Sequence, residues 1–121
     1  MRKIEIAMND AVRAIVDGLR FEDKLRRLGN TEITRAPDGA ALVSLHGNTI
    51  ARITRRGAAI NTAFYNVVLD SCRWHTPTTK SRLNALLAEF RPGNAVFQKA
   101  GAWYVRTPGG NTWPFFDGIN I

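Results

Sequence analysis

"TEITRAPDGAALVSLHGNTIARITRRGAAINTAFYNVVLDS", residues 31–71, is the stretch that decides the fold. Pro37-Asp38-Gly39 is a turn with a mechanism: proline presets φ and glycine accepts φ > 0. Leu42-Val43-Ser44-Leu45 then leads into Gly47-Asn48, a glycine-led pair suited to a tight hairpin. Ile50, Arg52 and Thr54 alternate with Ala51, Ile53 and Arg55. The alternation is only partial, because Ile50 and Ile53 fall on opposite faces. Arg56-Gly57 predicts the next turn. Residues 58–71 hold one or two further strands, with Asn61 and Asn66 as break points. Connections this short leave no room for a parallel crossover, which needs about a dozen residues or more. The stretch therefore reads as an antiparallel meander.

The flanks read as helix. Ile4, Met8, Ala11, Val12, Ile15 and Leu19 recur at steps of three and four, one face of a 3.6-residue period. Gly18 weakens the far end. "FEDKLRRLGN", residues 21–30, predicts a second short helical turn, with Phe21, Leu25 and Leu28 on one side, stopping at Gly29-Asn30. Arg20, Lys24 and Arg27 line its other side. Downstream, "CRWHTPTTKSRLNALL", residues 72–87, holds the sharpest helix start. Thr76 fits the N-cap and Pro77 the first helical position. Leu83, Leu86, Leu87 and Phe90 follow on one face, and Pro92-Gly93 ends the helix. Strands resume after it. Ala100-Gly101 is a hairpin turn between 96–99 and 102–106, Pro108-Gly109-Gly110-Asn111 a wider turn, and Asp117-Gly118 another.

Together these signals predict one α+β domain over residues 1–121. Residues 1–28 form a helical N-terminal segment, and residues 29–121 the strands plus a central helix. The expected core is one mostly antiparallel sheet of about five to seven strands, with the N-terminal helix and the helix at about 77–91 packed on one face. Arg52, Lys99, Tyr104 and Arg106 are candidates for the open face.

Charge is the strongest bulk signal. The 121 residues carry a net charge of +7. Residues 1–38 hold eight cations against seven anions, whereas residues 39–121 hold nine cations against Asp70, Glu89 and Asp117 alone. Such an excess attracts polyanions over a Debye length of about 8–10 Å. A hydrophobic fraction of 45% suits a globular chain. No apolar run approaches the roughly 20 residues of a membrane span, and the N-terminus lacks the uninterrupted apolar stretch of a signal peptide. A single cysteine forms no internal disulfide, which fits a reducing cytoplasm.

Catalytic and metal signals are weak. Cys72-Arg-Trp-His75 has ligand-like spacing, and His46 and Asp70 would complete a set. A structural zinc site, however, usually needs a second such pair. Cys72 beside a histidine suits a thiolate–imidazole pair, but no nucleophile elbow or orienting partner accompanies it. No phosphate-loop or dinucleotide motif occurs. The expectation is therefore a protein that is not an enzyme, with neither cofactor nor metal. Two binding signals are better founded. Thr78, Thr79, Lys80, Ser81 and Arg82, with Arg73, cluster at a helix N-terminus, where unpaired N–H groups favour an anion; the plain alternative is a capped helix with solvated cations. Phe97, Trp103, Tyr104, Trp113, Phe115 and Phe116 crowd the last quarter with Lys99 and Arg106. Aromatic and cationic side chains sharing a sheet face stack and hold single strands. Tyr104 with Arg106 is the pair expected to be exposed. Arg52, Arg55 and Arg56 complete the candidate polyanion or partner surface.

At "LHGNTIA" (45–51), "TPTTKSRLNALL" (76–87) and "GAWYV" (101–105) the chain resembles a group of small proteins encoded by tailed bacteriophages. The similarity starts at "GNT" (29–31) and runs to residue 121. Residues 61–75 depart from the pattern, with Arg73 where a glycine is expected before Trp74. The resemblance implies a phage origin and action in the cytoplasm of an infected bacterium, and it carries no catalytic residues. By association it suggests an inhibitor of host or defence machinery, of the anti-CRISPR kind. Three readings follow: a phage accessory protein that blocks a host or defence protein or nucleoprotein complex through a basic surface; a direct binder of DNA or RNA using the basic, aromatic sheet face; and a small enzyme or metal protein around Cys72 and His75. None involves a membrane.

Overall fold

Ile33, Val43, Ile53 and Val67 are all fully buried. Register explains why: Ile33 lies opposite Val43 and Ile53 opposite Val67 on neighbouring antiparallel strands. Residues directly opposite one another share a face, so these side chains form one apolar ladder. The computed structural model that carries this ladder describes residues 2–18, 25–59 and 62–121. The element order is α1 (Lys3–Val16), β1 (Leu25–Leu28), β2 (Thr31–Arg35), β3 (Ala41–Leu45), β4 (Asn48–Ala59), β5 (Thr62–Leu69), α2 (Pro77–Phe90), β6 (Ala95–Lys99), β7 (Ala102–Arg106), β8 (Thr112–Pro114) and β9 (Ile119–Asn120).

The fold is α+β, and among the described residues every strand pairing is antiparallel. The strands make two sheets, not one. Six lie in the order β1-β2-β3-β4-β5-β9 and three in the order β6-β7-β8. Both helices contact the larger sheet and each other, and α2 also contacts β6. A single apolar core runs through all these layers. It joins Met8, Val12 and Ile15 of α1, Leu83, Leu86 and Leu87 of α2, the buried ladder of the larger sheet, and Val96, Trp103 and Val105 of the smaller one.

Several local expectations change. Residues 25–28 are a strand: Leu28 lies opposite Thr31 across the Gly29-Asn30 turn, so the segment expected as a helical turn is the outer arm of a hairpin. Residues 19–24, with Leu19, lie outside the described residues. The β3–β4 turn sits one residue earlier than expected, at His46-Gly47, with φ of 50° and 81°. A two-residue hairpin loop of this hand needs φ > 0 at both positions, which leaves Asn48 free to pair with Leu45. No turn occurs at Arg56-Gly57. β4 runs through it to Ala59, and a register irregularity between Arg56 and Ala59 absorbs the change. Asn66 lies in mid-strand opposite Thr54, while Asn61 lies outside the described residues.

Helix α2 begins as expected. Thr76 has extended backbone geometry and its Oγ1 accepts from the Thr79 N–H at 3.2 Å, with Pro77 next. Its second turn also reaches α1. Glu5 Oε2 accepts from Arg82 at 2.9 Å and from the Ser81 hydroxyl at 2.6 Å, while Glu5 Oε1 accepts from the Arg2 N–H at 3.2 Å. Arg82 Nε donates to Thr31 Oγ1 at 3.1 Å. The two charged side chains are 4% and 3% exposed. One ion pair thus joins α1, α2 and β2 inside the protein.

Two tests follow from this pair. Arg82→Met strands the buried carboxylate and lowers stability at neutral pH by about 3–5 kcal/mol, whereas adding Glu5→Gln recovers much of the loss; urea midpoints of the three proteins check this. Burial raises the Glu5 pKa, but hydrogen bonds from Ser81, Arg82 and Arg2 outweigh it and hold the carboxyl below its ordinary 4.5. A depressed folded-state pKa gives stability that is complete above the unfolded value and is lost as pH falls through the folded one. Glu5→Gln should therefore flatten the acid limb of the stability curve below pH 4.5, as read by denaturant unfolding at stepped pH.

Candidate nucleic-acid interface

Trp103 decides which way the smaller sheet faces. It is 4% exposed, with Val96 at 3% and Val105 at 2% on the same side. Its indole stacks on His75, centroids 4.3 Å apart and planes at 14°, and meets Phe115 edge-on at 5.5 Å. Successive side chains on a strand point to opposite faces, so burying Trp103 and Val105 turns Tyr104 and Arg106 outward. Of this pair, expected to be exposed, Arg106 is exposed and Tyr104 only half so, because its ring packs on Phe97. The β6–β7 register sets Phe97 opposite Tyr104. The turn between them is at Ala100-Gly101, as the sequence predicts, and takes φ of 51° and 79°.

The outward face is an aromatic and cationic platform. Phe97 and Tyr104 stack with centroids 5.6 Å apart and planes at 25°. The Arg106 guanidinium carbon lies 4.8 Å from the Phe97 centroid. Lys99 is exposed beside them. These residues, with Ala100 and Thr112, line an open cleft of about 480 Å³. A base stacks on an aromatic face, and a guanidinium or ammonium beside it meets the phosphate.

Of the residues singled out from the sequence, Lys99, Tyr104 and Arg106 come together here. Arg52 does not: it lies on the larger sheet and pairs with Asp38. Arg55 faces Asp17 at 3.5 Å. Arg56 is exposed, opposite Phe64 on the neighbouring strand. Phe97 was not among the favoured residues; the pairing of 97 with 104, implied by a two-residue turn at 100–101, is the signal that finds it.

The α2 start is a different place with a different chemistry. Arg82 is removed from any anion site by its ion pair with Glu5, and Ser81 serves the same carboxylate. Thr79 is 1% exposed and shares a hydroxyl contact of 3.0 Å with Thr76. Thr78 lines a cleft of about 210 Å³ with Cys72, Trp74 and His46. Arg73 is exposed, and Lys80 partly so. The cap and the core thus take most of the groups that an anion would need.

Cys72 and Arg73 both have positive φ, 51° and 63°. Two carboxylates hold this bend. Asp70 accepts from the Cys72 N–H at 2.6 Å, and Asp117 accepts from the Ser71 N–H and hydroxyl at 2.8 and 2.7 Å. The Cys72 thiol donates to the Thr49 carbonyl at 3.0 Å. Burial, with the nearby Asp70 and Asp117 charges, pushes its pKa up to about 11, the opposite of an activated thiolate. Among the described residues no group of three His, Cys, Asp or Glu side chains is placed to hold a metal. No described helix is long and apolar enough to cross a membrane.

The model of the Kyanoviridae Gp96 protein family matches residues 1–121. The chain belongs to this bacteriophage family. No curated protein and no solved structure matches it. Membership accords with the phage origin implied by the resemblance and leaves the platform, not a relative's chemistry, as the guide to what the protein binds.

A thiol with a pKa near 11 is unreactive at neutral pH. Alkylation of Cys72 by iodoacetamide should be slow at pH 7 in the folded protein and accelerate toward pH 11, while the urea-unfolded chain reacts with an ordinary thiol profile. Equal rates for folded and unfolded chains at pH 7 would contradict the raised thiol pKa.

Proposed function

We propose that this protein is a non-enzymatic phage accessory protein that works in the cytoplasm of the infected cell by binding single-stranded nucleic acid on the outer face of β6–β7. The observation that carries the reading is the Phe97–Tyr104 stack flanked by Arg106 and Lys99. A duplex hides its base faces, whereas an unpaired strand offers them to such a platform. Charge supports the same face. From Arg91 to Ile121 the sequence holds three cationic side chains and one acidic side chain, Asp117, and that carboxylate is taken up by Ser71. Inhibition of a host or defence nucleoprotein complex is the second reading. It draws support from the exposed Trp74 and Arg73 beside the 72–79 cleft, a surface separate from the platform.

Anisotropy of a labelled oligothymidylate at stepped salt tests the proposal. Tyr104→Ala should weaken binding by about 1–3 kcal/mol, the usual worth of a base–aromatic stack. Arg106→Ala should weaken it and lower the magnitude of the log K against log salt slope by about 0.7, one phosphate contact on a single strand. Absence of wild-type binding to DNA or RNA at roughly 50 mM salt overturns the reading. A partner captured from host extract after nuclease treatment, and lost in Arg73→Ala/Trp74→Ala, supports the second one instead.

A further inference from the structure

β8 separates two clefts. Thr112 lines the platform cleft described above, and its neighbour Trp113 lines a second cleft of about 410 Å³ on the opposite side. The alternation along a strand produces this division. Trp113 and Phe116, 58% and 60% exposed, both face the second cleft, with Arg91 at its edge. Exposed aromatics gathered in one polar-rimmed groove mark a binding surface more often than isolated ones do. We infer that this second cleft is a further base-stacking subsite, so that one bound single strand wraps over the β8 edge and occupies both clefts. The inference rests on the nucleic-acid reading of the platform.

Three observations select this occupant. First, β8 is the edge of its sheet and contains Pro114, which has no N–H to offer. An added β-strand from a protein partner is disfavoured there, while a chain that only crosses the edge is not. Second, the charge is right on both sides. Arg106 lines one cleft and Arg91 the other, and Asp117, the single acidic side chain between residues 91 and 121, is hydrogen-bonded to Ser71. Third, the cleft is built before anything enters it. Its Pro108 wall is seated on Gly93, where φ is +89° and a Cβ would lie 2.8 Å from the proline ring. Phe116 is presented by a turn in which the Ile119 N–H donates to its carbonyl at 3.1 Å and the Gly118 N–H donates to Leu69 at 2.8 Å. A preformed stacking wall spares the entropy of ordering it on binding.

The test compares oligothymidylates of about 3 and about 12 nucleotides, lengths below and within the range of a single-strand binding site, by anisotropy at fixed low salt. Wild type should bind the longer one more tightly. Trp113→Ala/Phe116→Ala should lose about tenfold or more for the longer strand and nothing for the shorter. Both side chains are exposed, so the variant should melt with the wild type; Trp113→Phe, which keeps a ring, should retain affinity and lose the tryptophan quenching that the longer strand produces. Two results overturn the inference while leaving the platform intact: an unchanged preference for length in the double variant, or an equal loss at both lengths. If wild type binds neither strand, the platform reading falls and this inference with it.

Discussion

The Glu5–Arg82 pair is the constraint around which the rest of the structure is arranged. Moving two charges out of water costs several kcal/mol each, and only good geometry offsets it. Here the offset is supplied by groups from three separate stretches of chain: the Arg2 N–H beside Glu5, Thr31 Oγ1, and the Ser81 hydroxyl beside Arg82. Apolar packing alone would let α1 slide or turn on the sheet, because burial is non-directional. The ion pair is directional. It sets the first turn of α1 beside the first turns of α2 and both against the start of β2. Once α2 is so placed, Asn84 meets the edge of β6: its side-chain amide donates to the Val96 carbonyl at 2.9 Å and accepts from the Val96 N–H at 2.7 Å. The helix then occupies part of the free edge of the smaller sheet, as a neighbouring strand would, and blunts a pairing hazard.

The same folding step redistributes charge. Read along the sequence, the cations of residues 39–121 have almost no acidic company. In space, Arg52, Arg55 and Arg82 face Asp38, Asp17 and Glu5. All three carboxylates come from the first 38 residues. Exposed pairs such as Arg52–Asp38 add little stability, but they cancel the field that an unpaired arginine would project. The sequence asymmetry is therefore not a uniform basic surface. Its uncancelled part includes Lys99 and Arg106 on the smaller sheet, whereas Arg73 near the 72–75 bend shares the field of Asp117.

How far each feature could be read beforehand depended on the range of the forces that made it. The cap of α2 is local: Thr76, Pro77 and the Thr79 N–H lie within four residues, and the sequence marks Thr76 and Pro77, whereas Thr79 reads there as an anion contact and not as the capped donor. The Ala100-Gly101 turn and the inward Trp103 are likewise short-range consequences of turn chemistry and alternation, so most of the platform was legible. Leu25–Leu28 was not. Its spacing of apolar residues suits a helical turn, and only pairing with Thr31–Thr34 makes it a strand. The second sheet, the shift of the β3–β4 turn to His46-Gly47 and the passage of β4 through Gly57 also depend on non-local pairing. Arg82 is the clearest case. A cation at i+5 of a helix looks solvent-facing until Glu5, seventy-seven residues earlier, arrives beside it.

Trp103 ties the two candidate regions together. Its indole nitrogen is buried without a hydrogen-bond partner among the described residues, a cost of about 1–3 kcal/mol by ordinary accounting. What offsets that cost is area and shape: one face on His75, an edge toward Phe115, and the apolar core beneath. Because His75 follows the Cys72–Arg73 bend and Tyr104 follows Trp103, the stack couples the approach to α2 with the orientation of the outer platform. The aromatic residues at the C-terminal end thus divide by physical role and not by composition. Trp103 and Phe115 hold the sheet to the body, which is what leaves Phe97 and Tyr104 half-buried on one side of β8, and Trp113 and Phe116 exposed on the other.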